Sequence, residues 1–476
     1  MSLYHKIAKN TIIQIIGRAL QTLIAFLTLA LIMHYLGPSN FGQYTIVVAY
    51  VAFSGILIDL GIYMTTLQMI SEPLADAEKI FSNAFTLRVI ATVLFLLLAA
   101  SASLFFPYDP IAKKGILILL ASCFFISLAQ LLHGIFQKEL KMAEAEIAAI
   151  IGKIVLIILV AAAIHLKLNL LYILTCLLLG DVTYFLLKYF FSRKYIKIKF
   201  SFDKDIWIKI IIKSWPIALS IIFNLIYLRG DTIILSLFAP PAEVGFYGAS
   251  YKVLDVLTTL PIIIAGLMMP LFTNAWAEKN YATLKFYLQN SFDACAMIAI
   301  PIIFGTQFIA YKVMVLAGGN KFYPAGRILK ILIIAVTMIF FGTLFGHFIV
   351  AINKQKTMLF GYLATAILSL IGYFVLIPKF TTIGAAYVTL FSETLITVLS
   401  FIIIRRTTGI AISLKKFLKA LLAGLAMCVI LYPIRFANML ILILTGAAIY
   451  GFTLYAIGVV DKKMLQQIFK PAEKKS

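Results

Sequence analysis

What most constrains this chain is its succession of long apolar runs. About fourteen of them follow one another with short polar breaks: 10–35, 41–64, 81–106, 115–137, 144–166, 168–190, 214–238, 246–272, 288–315, 325–351, 358–377, 383–404, 417–435 and 438–459. Each is close to the ~20 apolar residues that span a bilayer as a helix. Lipid offers no partner to open backbone groups, so each run is expected to be an α-helix. The alternating pattern of a membrane β-barrel is absent. The chain is 63% hydrophobic and only 13% charged. That balance excludes a soluble globular fold, a disordered chain and a disulfide scaffold, and little sequence is left for an extramembrane domain. Cys123, Cys176, Cys295 and Cys428 each lie inside an apolar run without metal-pair spacing and read as small buried hydrophobes. The first run is too long for a signal-peptide core and is read as a retained span.

Charge sets the topology. Lys and Arg number 41 against 19 Asp and Glu, a formal +22. In a chain this apolar the excess marks inner-face loops rather than a nucleic-acid surface. With the N-terminus inside, an even number of spans returns the C-terminus inside, and the inner segments then hold several times the Lys and Arg of the outer ones. Two places run against the trend, the acidic inner loop with Glu72, Asp76 and Glu78, and the outer Lys113 and Lys114. The dominant inner loop is 192–213, with Arg193, Lys194, Lys197, Lys199, Lys204, Lys209 and Lys213. Ile196, Ile198, Phe200, Phe202 and Trp207 are interleaved, which suits the anionic inner leaflet. This loop divides the chain into an N-terminal six-helix half (1–191), a basic linker (192–213), a second six-helix half (214–404) and a C-terminal portion (405–476) with two more helices and a basic tail. A repeat matches the division. Pro38-Ser39-Asn40-Phe41-Gly42-Gln43-Tyr44 and Pro241-Ala242-Glu243-Val244-Gly245-Phe246-Tyr247 both read P-x-x-φ-G-x-Y, where φ is apolar. Each occupies the outer turn between the first two helices of its half, which implies a parallel repeat; tight turns alone also favour these residue types.

The sequence resembles the polysaccharide transporter family, the O-antigen and lipid-linked oligosaccharide flippases of the multidrug/oligosaccharidyl-lipid/polysaccharide exporter superfamily. The resemblance rests on Tyr35-Leu36-Gly37-Pro38 through Tyr44, Asp59-Leu60-Gly61, Leu228 through Leu235 with Val244 to Tyr247, Tyr251-Lys252, and Leu316 to Ala325. Gly230 stands where the pattern expects an apolar residue. The resemblance implies an all-α integral membrane protein of about fourteen transmembrane helices. It implies two MATE-like six-helix lobes around a central cavity plus two C-terminal helices. It also implies alternating access, a polyprenyl-pyrophosphate-linked glycan as cargo, no cofactor, and glycosyltransferases or a polymerase of the same pathway as partners.

Ionisable groups inside spans are expensive, ~2.5–3.5 kcal/mol each at mid-helix, and so single out candidate sites. At 1.5 Å rise per residue, Arg18, Arg88 and Lys153 lie roughly 10–13 Å in from the inner end of three different helices. A pyrophosphate calls for such cations, Arg as a planar fork and Lys as a point charge. Ion pairing or snorkelling would serve structure instead. Gln14 and Gln21 share a face with Arg18, completing the expected substrate set. No carboxylate of that half is placed by its sequence position to neutralise all three; Asp59 and Asp181 are the nearest candidates. In the second half, Arg229 and Asp231 on one span and Lys252 and Asp255 on the next are expected in the outer half, where they either pair across the helices or hold a coupling cation, H⁺ or Na⁺. Glu393 is a second ion candidate; Asn224 and Tyr227 share the span of Asp231. Pro216, Pro261, Pro270 and Pro301 are hinges or plain kinks.

Nucleotide, zinc and serine-hydrolase motifs are missing, so no enzyme is expected. Asp203-Lys204-Asp205 has the form of a metal-binding D-x-D but has no catalytic domain around it. A multispan glycosyltransferase or polymerase would need larger outer loops. The expected function is export of a lipid-linked oligosaccharide at the cell membrane. A lipid II-type flippase and a multidrug or cation antiporter are the alternatives; an antiporter of cationic drugs would favour an acidic cavity.

Overall fold

The computed structural model describes the backbone of residues 3–59, 61–72 and 76–459. The side chains of 3–9, 11, 12, 15, 56, 57, 59, 216, 217, 219, 220 and 224–228 lie outside that description. The expected basic tail after 460 and the side chains of Asp59, Pro216, Asn224 and Tyr227 therefore fall outside it as well. The described residues form helices and no strand: α1 Leu3–Asp59, α2 Ile62–Ile70, α3 Ala77–Phe105, α4 Pro110–Lys138, α5 Met142–His165, α6 Leu170–Ser192, α7 Lys204–Phe238, α8 Pro241–Leu257, α9 Thr259–Ala277, α10 Tyr281–Gly318, α11 Ala325–Ala351, α12 Gln355–Thr408, α13 Lys415–Leu431 and α14 Met439–Ala456. Among the described residues, ten helical stretches are long and apolar enough to cross a membrane. The chain is a multi-span, all-α membrane protein.

Local chemistry explains where the helices break. α1 is interrupted at Gly37, whose φ of 66° suits glycine, directly before Pro38. α12 breaks at Thr381 (φ 48°), three residues after Pro378. The run expected over 246–272 is split at Thr258, because Pro261 lacks the N–H that would bond back one turn. At Gly230 α7 continues without a break.

The chain divides into two units. The first comprises the described residues through Gly248, with Ala317–Lys321 and Ser369–Ala385. In it α6 packs on α4 and α5, and α1 packs on α4, α5 and α7. Two glycines set the α5–α6 distance: a Cβ on Gly152 would lie 3.0 Å from the Gly180 carbonyl oxygen, and one on Gly180 would lie 3.1 Å from that of Gly152. Small residues let membrane helices approach this closely. The second unit holds Ala249–Leu316, Phe322–Leu368 and the described residues from Ala386 onward. Its core is aromatic, with Phe272 on Phe348 (5.0 Å between ring centres) and Phe292 stacked on Phe341 (4.6 Å). Lys312 donates to the Arg435 and Ala437 carbonyls, closing the turn between α13 and α14.

The basic segment after α6 is tied to α3. Asn83 donates to Ser201 and accepts from the Asp203 amide at 2.7 Å; Ser82 and Thr86 accept from the Lys199 and Ser201 amides. Ile196 and Ile210 are buried against Phe81, Leu128 and Leu132, with Ile198 and Trp207 packed beside them. Phe200 and Phe202 instead stay 69% and 72% exposed among Lys197 and Lys199. The D-x-D segment is a helix cap: Asp203 accepts from the Asp205 and Ile206 amides and starts α7 ten residues before the apolar run.

Lys79 pairs with Asp203 at 2.7 Å and holds its carboxyl below the usual carboxylate range. A group with a depressed folded pKa contributes stability that is present above its unfolded value, ~3.9, and is lost as pH falls through the folded value. The protection of the amides of 196–206, relative to intrinsic exchange at each pH, is therefore expected to fall below about pH 4, and Asp203→Asn is expected to show lowered protection already at neutral pH. Equal protection in both proteins, unchanged with pH, would exclude this anchor.

Candidate functional site

The first unit gathers ionisable side chains from six helices, α1 to α6. On α5, Glu146 and Lys153 are seven residues apart and share a face. On α6, Asp181, Tyr184 and Lys188 do the same. The Gly152–Gly180 crossing sets Lys153 and Asp181, the next residue on each helix, within electrostatic reach of one another. Ser122 on α4 donates to Asp181 at 2.5 Å. Glu146 is buried, accepts from Gln21 on α1 at 2.6 Å, and feels the charges of Arg18 and Lys188. Gly17 makes room for it, since a Cβ there would lie 2.6 Å from the Glu146 carboxylate.

The expected substrate residues separate into two kinds. Arg18 is exposed, while Gln14, Gln21 and Lys153 are half-buried. Arg88 is 0% exposed: its Nε donates to Ser127 at 2.7 Å, and its terminal nitrogens donate to the Ile58 carbonyl (3.3 Å) and Gln130 (3.2 Å). Sequence reasoning missed Glu146, the carboxylate between Arg18 and Lys188. It also missed Lys188, which is 1% exposed and held by the Ala129 carbonyl, Tyr184 and His133. The signal was present, because these polar residues recur at helical spacing within apolar helices.

The residues expected to couple an ion are placed as follows. Asp231 is 0% exposed; it accepts from the Tyr247 hydroxyl at 2.6 Å and from the Thr232 amide and hydroxyl, and it feels the charge of Arg229. In the second unit, Lys252 and Asp255 meet at 3.1 Å one turn apart on α8, and Glu393 is 5% exposed.

The two repeated turns meet each other. A Cβ on Gly42 would lie 1.6 Å from the Pro241 carbonyl oxygen, and one on Gly245 would lie 2.4 Å from that of Pro38. Each glycine of the motif thus receives the proline carbonyl of the other copy. In the same unit a cavity of about 500 Å³ is lined by Tyr50, Phe53, Phe95, Phe106, Gly230 and Ile233.

A family model described as "Polysaccharide biosynthesis protein" matches residues 7–276. A "Putative O-antigen transporter" from Shigella flexneri is 25% identical over 398 residues, covering 80% of this chain and 93% of that protein. Among solved structures, the lipid II flippase MurJ in an inward closed conformation superposes with a TM-score of 0.81 at 16% identity, covering 95% of this chain and 100% of the other. An inward-facing multidrug resistance transporter of the MATE family gives 0.70 at 17% identity, covering 82% and 94%. The last two are likenesses of fold.

Proposed function

Because the chain belongs to the polysaccharide biosynthesis protein family, we propose that it is a flippase carrying a polyprenyl-pyrophosphate-linked oligosaccharide from the inner to the outer leaflet by alternating access. One observation carries this reading. Among the described side chains that face one another across α1, α5 and α6, three cations, Arg18, Lys153 and Lys188, come with two carboxylates, Glu146 and Asp181. That surplus suits an anionic cargo and disfavours a cationic drug. Arg18 and Lys153 are the members open to a ligand, with Gln14 and Gln21 as neutral hydrogen-bonding groups beside them. Pyrophosphate oxygens take the Arg fork and the Lys point charge as charge-assisted hydrogen bonds. The apolar cavity beside Gly230 has room for part of a polyprenyl chain. Asp231, Asp255 and Glu393, with Arg229 and Lys252 as their cationic neighbours, are the candidates for cation coupling by H⁺ or Na⁺. Both termini face the cytoplasm, and the halves 1–191 and 214–404 are the bodies that exchange access. Phe200, Phe202 and the lysines around them face the anionic leaflet, with pathway glycosyltransferases or a polymerase as further partners.

Arg18→Ala and Lys153→Ala are each expected to reduce flipping of undecaprenyl-pyrophosphoryl oligosaccharide in proteoliposomes at least tenfold, about 1.4 kcal/mol per site, within the range for one charged hydrogen bond. Full transport by both stably folded variants would sink the cargo assignment. Running the same assay with a peptidoglycan precursor separates the two cargo classes, since both carry the pyrophosphate and differ in the headgroup beyond it.

A further inference from the structure

Lys188 is buried without a carboxylate among its hydrogen-bond partners. A lysine ammonium has three N–H groups, and three acceptors surround this one: the Ala129 carbonyl at 3.1 Å, the Tyr184 hydroxyl at 2.5 Å and Nδ1 of His133 at 3.2 Å. With Lys188 charged, all three of its N–H groups find acceptors when the His133 ring is neutral and carries its proton on Nε2. A proton arriving at Nδ1 would set N–H against N–H at that separation and place two cations together in a buried site.

The other groups facing His133 decide where the displaced charge goes. Arg18 on α1 acts on it as a further cation, and Tyr63 on α2 lies with its ring 6.4 Å away, its hydroxyl donating to Gln137. Tyr184 comes from α6 with Lys188. Glu146 on α5 is the carboxylate that feels both Lys188 and Arg18. Lysine has a flexible four-carbon stem, and Glu146, whose carboxylate already feels its charge, is the group that draws the displaced ammonium.

We propose that His133 binds a proton together with the anionic cargo, and that Lys188 is the group this proton displaces, adding a cation to those that meet the pyrophosphate. The proposal rests on the flippase reading above. His133 Nδ1 gains the proton, the imidazole becomes a cation, and Lys188 keeps its own proton as it leaves. Because linkage is reciprocal, a proton that promotes cargo binding is also taken up when cargo binds.

The test uses the full chain in nanodiscs with undecaprenyl pyrophosphate as probe, titrated calorimetrically in two buffers of different ionisation enthalpy. The wild type is expected to take up about one more proton per bound probe than His133→Gln, whose amide oxygen still accepts from Lys188 but binds no proton. The probe's own ionisation is common to both proteins and cancels. Affinity should rise on acidification by up to about tenfold per pH unit more in the wild type than in the variant. On the ligand-free protein, ¹⁵N spectra of labelled histidine should show the His133 Nδ1 unprotonated at neutral pH, and acidification should protonate it more readily in Lys188→Met than in the wild type. Equal proton uptake by wild type and His133→Gln, or a His133 titration unchanged in Lys188→Met, would overturn the proposal. Absence of probe binding to the wild type would instead overturn the flippase reading beneath it.

Discussion

Gly42→Ala is expected to reduce transport at least tenfold and to destabilise the protein by about 3 kcal/mol, the upper end of the usual cost of overpacking. The added methyl would lie 1.6 Å from the Pro241 carbonyl oxygen and 2.3 Å from its carbon. The obstacle is backbone, so no rotamer change relieves it, and the turns at Pro38 and Pro241 must separate. Gly245→Ala meets the reciprocal obstacle at 2.4 Å from the Pro38 oxygen and is expected to act in the same direction with a smaller effect. Gly266 is the control: it lies in α9 with no atom within 4 Å of an added Cβ. There alanine is expected to be neutral or stabilising by up to about 1 kcal/mol through helix propensity. Thermal unfolding in detergent and flipping in proteoliposomes read both quantities. Wild-type stability and transport in Gly42→Ala would exclude the crossing of the two turns.

The helices were legible because apolar run length reports directly on a spanning helix. Their ends were less legible. Asp203 starts α7 far ahead of the apolar residues because a cap works through two amide hydrogen bonds, which hydropathy does not register. The glycine and proline of the repeated motif signalled a turn in each copy. That the two turns pack on each other is a long-range fact that local spacing does not carry.

The candidate site was legible as charge and less so as pairing. Arg18 and Lys153 stood out as cations in apolar helices, and depth arithmetic placed them at one level. Depth is a single coordinate, however, and says nothing about which side of a helix faces which neighbour. Glu146 lies close to the start of α5 and by depth alone reads as interfacial, yet the notch at Gly17 brings it against α1, where Gln21 binds it. Lys188, near the end of α6, would pass for a snorkelling residue by the same measure, but it turns inward to α4. The polar stripe Ser127, Gln130 and His133 on α4 is the local sign of this inward face, and helical periodicity applied to polar residues finds it.

Arg88 and Arg18 are expected to fail in opposite ways, although sequence depth places them together. Arg88 is enclosed, with Ser127, the Ile58 carbonyl and Gln130 all accepting from its guanidinium, and Ser127 is itself 3.0 Å from Thr92. Arg88→Ala strips the buried Ser127 hydroxyl and Ile58 carbonyl, and the exposed Gln130, of their donor at once. With about 1–3 kcal/mol for each unsatisfied group and partial relief by relaxation, the expected loss is about 3–5 kcal/mol. Arg88→Lys keeps the charge but loses the planar fork that reaches three acceptors, so it should recover only part of this. Arg18 is exposed, and Arg18→Ala is expected to change stability by less than about 0.5 kcal/mol while weakening undecaprenyl pyrophosphate binding at least tenfold. Thermal unfolding and probe binding, measured on all three variants, separate a clamp between α3 and α4 from a cargo ligand. An Arg88→Lys protein as stable as the wild type but unable to bind the probe would make Arg88 a pyrophosphate ligand and refute its role as a clamp.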